Sequence, residues 1–420
     1  MSMTVHAKPS RPADTHQLAL FTGILAAYAA NDDAPLDNKT LYRMAVKQAG
    51  LPESVLDARV SIGGSHGHNL MTRKIRWFQQ TLKAAGVIER IPGKRGLWKL
   101  TQPNKDKLNQ IDTTLSVLGF STRLGVAILG SCETFFKRID TPVHLVVTSP
   151  PYPLQNSRDY GNPSEAEFVD WMCRMLEPVV KNLVPGGSIC LNISNDIFIK
   201  GLPARSLYRE RLILALHDRL GLYKMDELIW ESNKAPGPAI WASKTRTQLN
   251  VAYEPVYWLT NDPSLVASDN RRVLQPHSKE HQKFIAAGGQ KHRYESSNGA
   301  YVHLPGSYSA ETKGKIPRNV IKIGNADFSQ RAYKRMAIAN GLPAHGAPMP
   351  LKLAKFLIEF LTKPGEVVVD PFGGSFTTPL AAELLGRAWM ATELVAEYVL
   401  GGALRFKEFM GYQNHLKYAA

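Results

Sequence analysis

Short apolar runs bounded by turn formers alternate along most of the chain with stretches of helical spacing. Residues 125–130, 144–147, 188–193, 228–230, 254–259, 366–369 and 388–392 read as strands. Residues 132–137, 168–184, 207–220, 351–361 and 379–385 read as helices, the second of them closing at Pro185-Gly186-Gly187. That alternation predicts a doubly wound α/β sheet from about residue 118 onward. Residues 101–122 read as a connector, and residues 231–335 have little periodicity and many turn formers.

Residues 1–110 carry a different pattern. Amphipathic helices are predicted at 16–30, at 38–48 with Asp37 or Asn38 as cap, and at 69–85, where Ile75, Phe78, Leu82 and Val87 share a face. Gly86 is the predicted C-cap, followed by strand 87–91, turn 92–96 and strand 97–100. A helix followed by a basic-tipped hairpin resembles a winged helix. The resemblance implies that Arg73, Lys74, Arg76, Lys94 and Arg95 contact DNA. A winged helix used only for protein contacts has the same pattern.

Length and charge narrow the class. The 420 residues suit two or three domains, and the formal charge is +15. The excess sits in two places: residues 1–110 and 231–335 each hold 16 basic and 8 acidic side chains, while the remainder is close to neutral. Concentrated basic surface points to a polyanion such as nucleic acid. The longest apolar stretch, 18–30, is too short for a membrane span and lacks the layout of a secretory signal, so a soluble protein is expected. Cys132, Cys173 and Cys190 are widely spaced without metal-ligand partners, which predicts a reducing, cytoplasmic setting and no metal site.

The strand at 144–147 runs into Thr148-Ser149-Pro150-Pro151-Tyr152, a loop at the carboxyl end where open α/β sheets bind ligands. The amine of a nucleobase is a poor nucleophile because its lone pair is delocalised into the ring. Ser149 and the Pro150 carbonyl can accept from its two N–H groups, Pro151 stiffens the loop, and Tyr152 offers a face to stack on a base withdrawn from the duplex. An ordinary strand-ending turn is the plain alternative. Strand 366–369 ends in Asp370-Pro371-Phe372-Gly373-Gly374-Ser375-Phe376-Thr377-Thr378, a glycine turn that lets backbone approach a cofactor. The next strand ends in Glu393, where nucleotide sites hold a ribose hydroxyl.

These two motifs, in this order, resemble the permuted beta group of DNA amino-methyltransferases over about residues 118–410. The resemblance implies a circularly permuted, Rossmann-like α/β methyltransferase fold that uses S-adenosylmethionine, with the winged-helix-like module in front. It implies that Asp370, Phe372, Gly373, Gly374, Ser375 and Thr377 line the cofactor with Glu393 on the ribose, and that His345, Pro348 and Pro350 supply a further cofactor motif. Ser149 resembles the cytosine-N4 branch, although members with this serine that methylate adenine are known. Phe376 stands where glycine is common, and Ser131 stands where an acidic residue usually meets the cofactor adenine.

The implied division is a DNA-binding module at 1–110, a catalytic half at 118–230, a target-recognition region at 231–335 with core strands up to about 260, and a cofactor half at 336–420. In the third segment Arg271, Arg272, Lys279, Lys291 and Arg293 are the expected DNA contacts. A carbon-5 cytosine enzyme needs a cysteine, typically after proline, and none of the three follows one. The expected activity is site-specific methylation of cytosine N4 in double-stranded DNA, with a restriction endonuclease as a possible companion. Adenine N6, an RNA substrate, or an inactive DNA-binding regulator are the alternatives.

Overall fold

The computed structural model describes residues 24, 27, 35–48, 50–62, 65–84, 88–100, 108–154, 161–233, 240–296, 298–325 and 327–416. β1 (Leu36–Asp37) leads into α1 (Asn38–Gln48). The cap is Asp37, whose Oδ1 accepts from the N–H groups of Lys39 (2.8 Å) and Thr40 (3.1 Å). A hairpin of β2 (Val60–Ile62) and β3 (Ser65–His68), absent from the sequence expectation, precedes α2 (Leu70–Ala84). Asn69 caps α2 through the Thr72 N–H at 2.7 Å. β4 (Ile88–Arg90) and β5 (Leu97–Leu100) form the expected hairpin, and β5 also pairs with β1.

Leu41, Ala45 and Val46 of α1, Ile75, Phe78 and Leu82 of α2, and Ile88 and Trp98 of the hairpin are buried. Asn38 Oδ1 accepts from both Gln79 Nε2 (3.2 Å) and Trp98 Nε1 (3.1 Å), tying the two helices to the hairpin. The helix expected at 16–30 lies outside the described residues apart from Ile24 and Ala27, both helical and buried. The Gly86 cap lies outside them too.

The larger part begins with β6 (Ser116–Ser121), β7 (Gly125–Gly130), α3 (Cys132–Phe136), β8 (Val143–Thr148), α4 (Glu165–Val180), β9 (Leu183–Asn192), α5 (Tyr208–Leu220), β10 (Tyr223–Glu231) and β11 (Tyr253–Thr260). It continues through α6 (Lys279–Ala286), the hairpin β12 (Tyr294–Glu295) and β13 (Val302–His303), β14 (Val320–Lys322), α7 (Phe328–Ala339), α8 (Leu351–Leu361), β15 (Val367–Asp370), α9 (Thr377–Leu384), β16 (Ala388–Glu393), α10 (Ala396–Ala403) and β17 (Gln413–Asn414). Among the described residues one sheet of ten strands results, in the order β14-β10-β11-β9-β8-β15-β16-β7-β6-β17. Its five central strands, β9-β8-β15-β16-β7, are mutually parallel. β15 and β16, from the end of the chain, therefore lie between β8 and β7, which come more than 200 residues earlier.

Both faces are covered, as a parallel sheet requires. Val368 and Cys190 face a layer that includes Leu353, Leu357 and Ile358 of α8 and Ala381 of α9. Their strand neighbours Val369, Ile189 and Leu191 face Phe168, Met172 and Leu176 of α4 and Leu212 and Leu216 of α5. No helix among the described residues is long and apolar enough to cross a membrane.

Three expectations are corrected. The connector contains β6, whose apolar pattern is broken by Gly119; a side chain there would press within 2.5 Å of Val399, so the strand needs the gap. The helix expected to reach 184 stops at Val180, and Pro185-Gly186-Gly187 lies inside β9 as a bulge between the pairings Val143–Leu183 and Leu145–Ser188. Gly186 has φ +77°, and a Cβ on it would sit 2.1 Å from the Leu265 carbonyl oxygen. The weakly periodic segment 231–335 supplies β14, which pairs with β10, and its expected end falls inside α7.

Gly125 opens β7 beneath the Trp389 ring, where a Cβ would lie 2.3 Å from ring and backbone atoms of that residue. Gly125→Ala must therefore push β7 from β16, and thermal or denaturant unfolding should show a loss of about 1–3 kcal/mol. Unchanged stability would contradict the β7–β16 register.

Candidate active site

The carboxyl ends of β7, β8, β9, β15 and β16 open on one edge of the sheet, and the antiparallel strands β10 and β11 bring Trp230 and Glu254 to that same edge. The residues there line a cavity of about 890 Å³. Its two halves come from loops far apart in sequence, joined where Thr148 Oγ1 donates to Asp370 Oδ1 at 2.6 Å.

On one side the loop after β8 carries Ser149, Pro150, Pro151 and Tyr152, all of which line the cavity. Tyr152 Oη is 2.8 Å from Ser149 Oγ and lies within donating distance of Asn192 Oδ1 (3.2 Å) and Glu254 Oε2 (3.1 Å). Burial and the nearby Glu254 carboxylate push the Tyr152 phenol well above its ordinary range, so it keeps its proton. Asn192 ends β9 and Glu254 is the second residue of β11. The sequence reading treated both as ordinary strand members. The available signal was a polar residue at the same edge of two otherwise apolar strands.

On the other side the glycine turn wraps over Asp370. Phe372 N–H donates to Asp370 Oδ1 at 3.1 Å, and Gly373 N–H donates to the Thr392 carbonyl at 2.8 Å. Glu393 Oε2 accepts from Gly374 N–H at 2.7 Å while Oε1 accepts from Val395 N–H at 2.9 Å. Glu393 thus shapes the turn as well as lining the cavity, a role the sequence did not reveal. Gly374 has φ +50°, and a Cβ there would lie 3.2 Å from His345 Nε2. His345 packs edge-on against Tyr398, and both line the cavity. Trp171 contributes a further aromatic wall, its ring 5.3 Å from that of Phe372.

Burial pushes the Asp370 carboxyl up to about 6, against the lowering effect of its Thr148 and Phe372 hydrogen bonds. Burial likewise pushes Glu393 up to about 7, against the N–H groups of Val395 and Gly374. Two carboxyls kept partly protonated in one cavity suit a ligand that brings positive charge or hydroxyl donors.

The other expected residues divide. Ser375 and Thr377 line the cavity with their hydroxyls 3.0 Å apart, and Arg405 Nη1 donates to the Ser375 carbonyl (2.6 Å) and Thr377 Oγ1 (3.0 Å). Pro348 lines the cavity, whereas Pro350 is buried at the start of α8, where its carbonyl accepts from Leu353 and Ala354, and it does not reach the cavity. Ser131 lines the cavity beside Cys132 and Glu133. Cys132 and Cys190 are buried, and burial raises both thiols, Cys132 to about 12. Among the described residues no cluster of His, Cys, Asp and Glu could hold a metal ion.

Of the basic residues, Arg73, Lys94, Arg95, Lys279 and Lys291 are exposed. Lys74 is half-buried on α2, and Arg76 Nε donates to Tyr42 Oη at 2.7 Å. Arg271 makes a two-point pair with Asp269, and Arg293 pairs with Glu295, both at the surface, where such pairs are weak and exchange readily. Arg272 is a correction: its guanidinium donates to the carbonyls of Ala267, Phe360 and Thr362, fixing α8 rather than facing a ligand.

A doubly wound sheet with two acidic strand ends, a glycine turn and a Ser-Pro-Pro-Tyr loop around one cavity defines a transferase site with a nucleotide-cofactor side and a side for a planar group. Comparison with known proteins makes this specific: residues 143–403 match the DNA methylase family, and the chain belongs to it. The type II methyltransferase M.PvuII of Proteus hauseri is 34% identical over 289 residues, covering 68% of this chain and 85% of that one. M.BamHI of Bacillus amyloliquefaciens is 24% identical over 311 residues, 70% of this chain and 60% of that protein. The solved structure of the cytosine-N4-specific PvuII DNA methyltransferase is similar with a TM-score of 0.52 at 30% identity, covering 69% of this chain and 88% of that one.

Phe376, the departure from glycine, turns its ring away from the cavity. It adopts φ +56°, is fully buried, and packs 5.1 Å from the Phe120 ring, over Gly402. Phe376→Gly would relieve about 1–2 kcal/mol of left-handed strain and forfeit about 3–5 kcal/mol of ring packing. Packing wins, so the variant should unfold at lower denaturant concentration. A gain in stability would show that strain dominates at this position.

Proposed function

We propose that the protein is a site-specific DNA methyltransferase that moves a methyl group from S-adenosylmethionine to the exocyclic N4 amine of cytosine in duplex DNA, within a restriction-modification system. The observation that carries the reading is the join at Thr148–Asp370, which sets a base-sized loop beside a cofactor-sized turn. Similarity to a type II methyltransferase that is cytosine-N4-specific supports the base and the setting. Ser149 supports cytosine, being short and neutral.

The residues fit the cofactor. The cavity has room for a nucleoside and a base together, Gly374 brings backbone without a side chain to its lining, and the acidic strand ends match hydroxyl donors and a cationic centre. S-adenosylmethionine would supply an electrophilic methyl group carried on a sulfonium. Glu393 accepts from the ribose with the lone pairs that Gly374 and Val395 leave, while Asp370, Phe372, Gly373, Gly374, Ser375 and Thr377 form the floor and His345 and Pro348 the wall. Ser149 Oγ and the Pro150 carbonyl accept from the amine and return its lone pair to nitrogen. Tyr152 holds the ring of a base that has left the stack.

The strand order, with β15 and β16 inserted before β7, supports a circularly permuted methyltransferase fold. In this reading residues 118–230 are its catalytic half and 336–420 its cofactor half. Residues 1–110 form a winged-helix module that grips phosphates through Arg73, Lys74, Lys94 and Arg95, with Arg76 braced on Tyr42. Residues 231–335 read the target, with Arg271, Lys279, Lys291 and Arg293 at the surface.

Mass spectrometry of nucleosides from DNA treated with the protein should find N4-methylcytosine. N6-methyladenine would overturn the base assignment, and 5-methylcytosine the chemistry as well. A second expectation concerns protons. A cationic ligand favours ionised Glu393, so binding below pH about 7 must expel a proton and affinity must rise as the pH climbs through that value. Calorimetry should record this, and Glu393→Gln should weaken binding by about 1.5–3 kcal/mol and remove the pH dependence near 7, leaving that of Asp370 nearer 6. Affinity that stays constant across that range in the unsubstituted protein would exclude Glu393 from the cofactor site.

A further inference from the structure

We propose that Ser149, Tyr152 and Glu254 form a proton relay from the target amine to the Glu254 carboxylate. The inference rests on the methyltransferase reading and assigns a function to Glu254, which neither motif contains. Oxygen atoms are spaced for direct transfer throughout: Ser149 Oγ to Tyr152 Oη is 2.8 Å, and Tyr152 Oη to Glu254 Oε2 is 3.1 Å.

The direction of the chain follows from the number of hydrogens. The Tyr152 hydroxyl has one proton and two acceptors, Asn192 Oδ1 and the Glu254 carboxylate, and a carboxylate is the stronger acceptor. Asn192 Nδ2 donates to the Pro255 carbonyl at 3.3 Å, which turns Oδ1 toward the tyrosine and steadies it without claiming its proton. With that proton committed to Glu254, Tyr152 Oη accepts from Ser149. Ser149 Oγ is then left with open lone pairs, the state needed to accept from the amine.

Methyl transfer balances through this chain. The nitrogen–methyl bond forms, and the methyl–sulfur bond breaks with its electron pair remaining on sulfur. The surplus amine proton passes to Ser149 Oγ as the serine proton moves to Tyr152 Oη and the tyrosine proton to Glu254 Oε2. Each hydroxyl ends with one hydrogen, and Glu254 ends protonated. Glu254 is only half-buried and lines the cavity, so the proton can leave to water. Tyr152 and, from α5, Tyr208 interact electrostatically with Glu254, and Asp196 and Lys334 line the same cavity; Asn192 of β9 and Trp230 of β10 are neutral. Glu254 acts through Tyr152 and is a positioning residue and final proton acceptor.

Single-turnover methylation by the full chain at saturating DNA and S-adenosylmethionine tests the relay. E254Q keeps an acceptor for Tyr152 but not a base, and Y152F keeps the stacking ring but breaks the chain. Each should slow transfer by about 10- to 100-fold with cofactor and DNA affinity unchanged. The double variant should be no slower than either single one. The unsubstituted enzyme should lose rate on acidification, and E254Q should lack that limb. Wild-type rate and pH profile in E254Q, or slowing that multiplies in the double variant, would overturn the relay. Should E254Q fold poorly, Y152F at the wild-type rate overturns it alone. An unsubstituted protein that leaves DNA unmethylated would instead remove the methyltransferase reading beneath it.

Discussion

The parallel pairing of β8 with β15 is the constraint on which the site depends. The hydrogen bond from Thr148 to Asp370 spans 222 residues of sequence and joins the last residues of two neighbouring strands. Both partners are buried, and losing the bond would leave the Asp370 carboxyl with fewer donors, the Phe372 N–H among those that remain, in a poor dielectric. Because side chains alternate along a strand, a slip of one residue would turn Asp370 and Thr148 to opposite faces. Register and site geometry are therefore one specification. Val368 and Val369, buried against different helical layers, hold that register from both faces.

Desolvation then decides the chemistry at the strand ends. Asp370 and Glu393 are surrounded by Trp171, Phe372, His345 and Tyr398 as well as by backbone N–H groups. Hydrogen bonds would lower both carboxyls, and burial outweighs them. A site that holds its acids near neutrality gains more from a cationic ligand than exposed carboxylates would. On the other side of the join Tyr152 is bound by three side chains from three segments, so its ring is held in place without a ligand.

Much of this was legible in the sequence because the relevant strands are continuous apolar runs that end abruptly. The runs before Ser149 and Asp370 predicted both loops and their position at the sheet edge. Strand order was not legible, since nothing local marks β15 and β16 as neighbours of β8 and β7. β6 was missed because Gly119 interrupts its pattern, and β14 because three residues on a sheet edge carry no periodicity. Glu254 and Asn192 were hidden for another reason: their importance lies in what crosses from adjacent strands. Arg272 shows the converse error, a basic residue in a basic segment whose guanidinium is satisfied by main-chain carbonyls.

The central claim is that one cavity holds cofactor and target base on either side of the Thr148–Asp370 join. A crystal structure of the protein with S-adenosylhomocysteine and duplex DNA carrying its methylation site tests it most directly. The account predicts a cytosine swung out of the helix against Tyr152 with its amine on Ser149 Oγ, and the ribose of the cofactor product on Glu393. A base left in its stack above a cavity filled only by cofactor, or a cofactor bound away from Asp370 and Glu393, would contradict it.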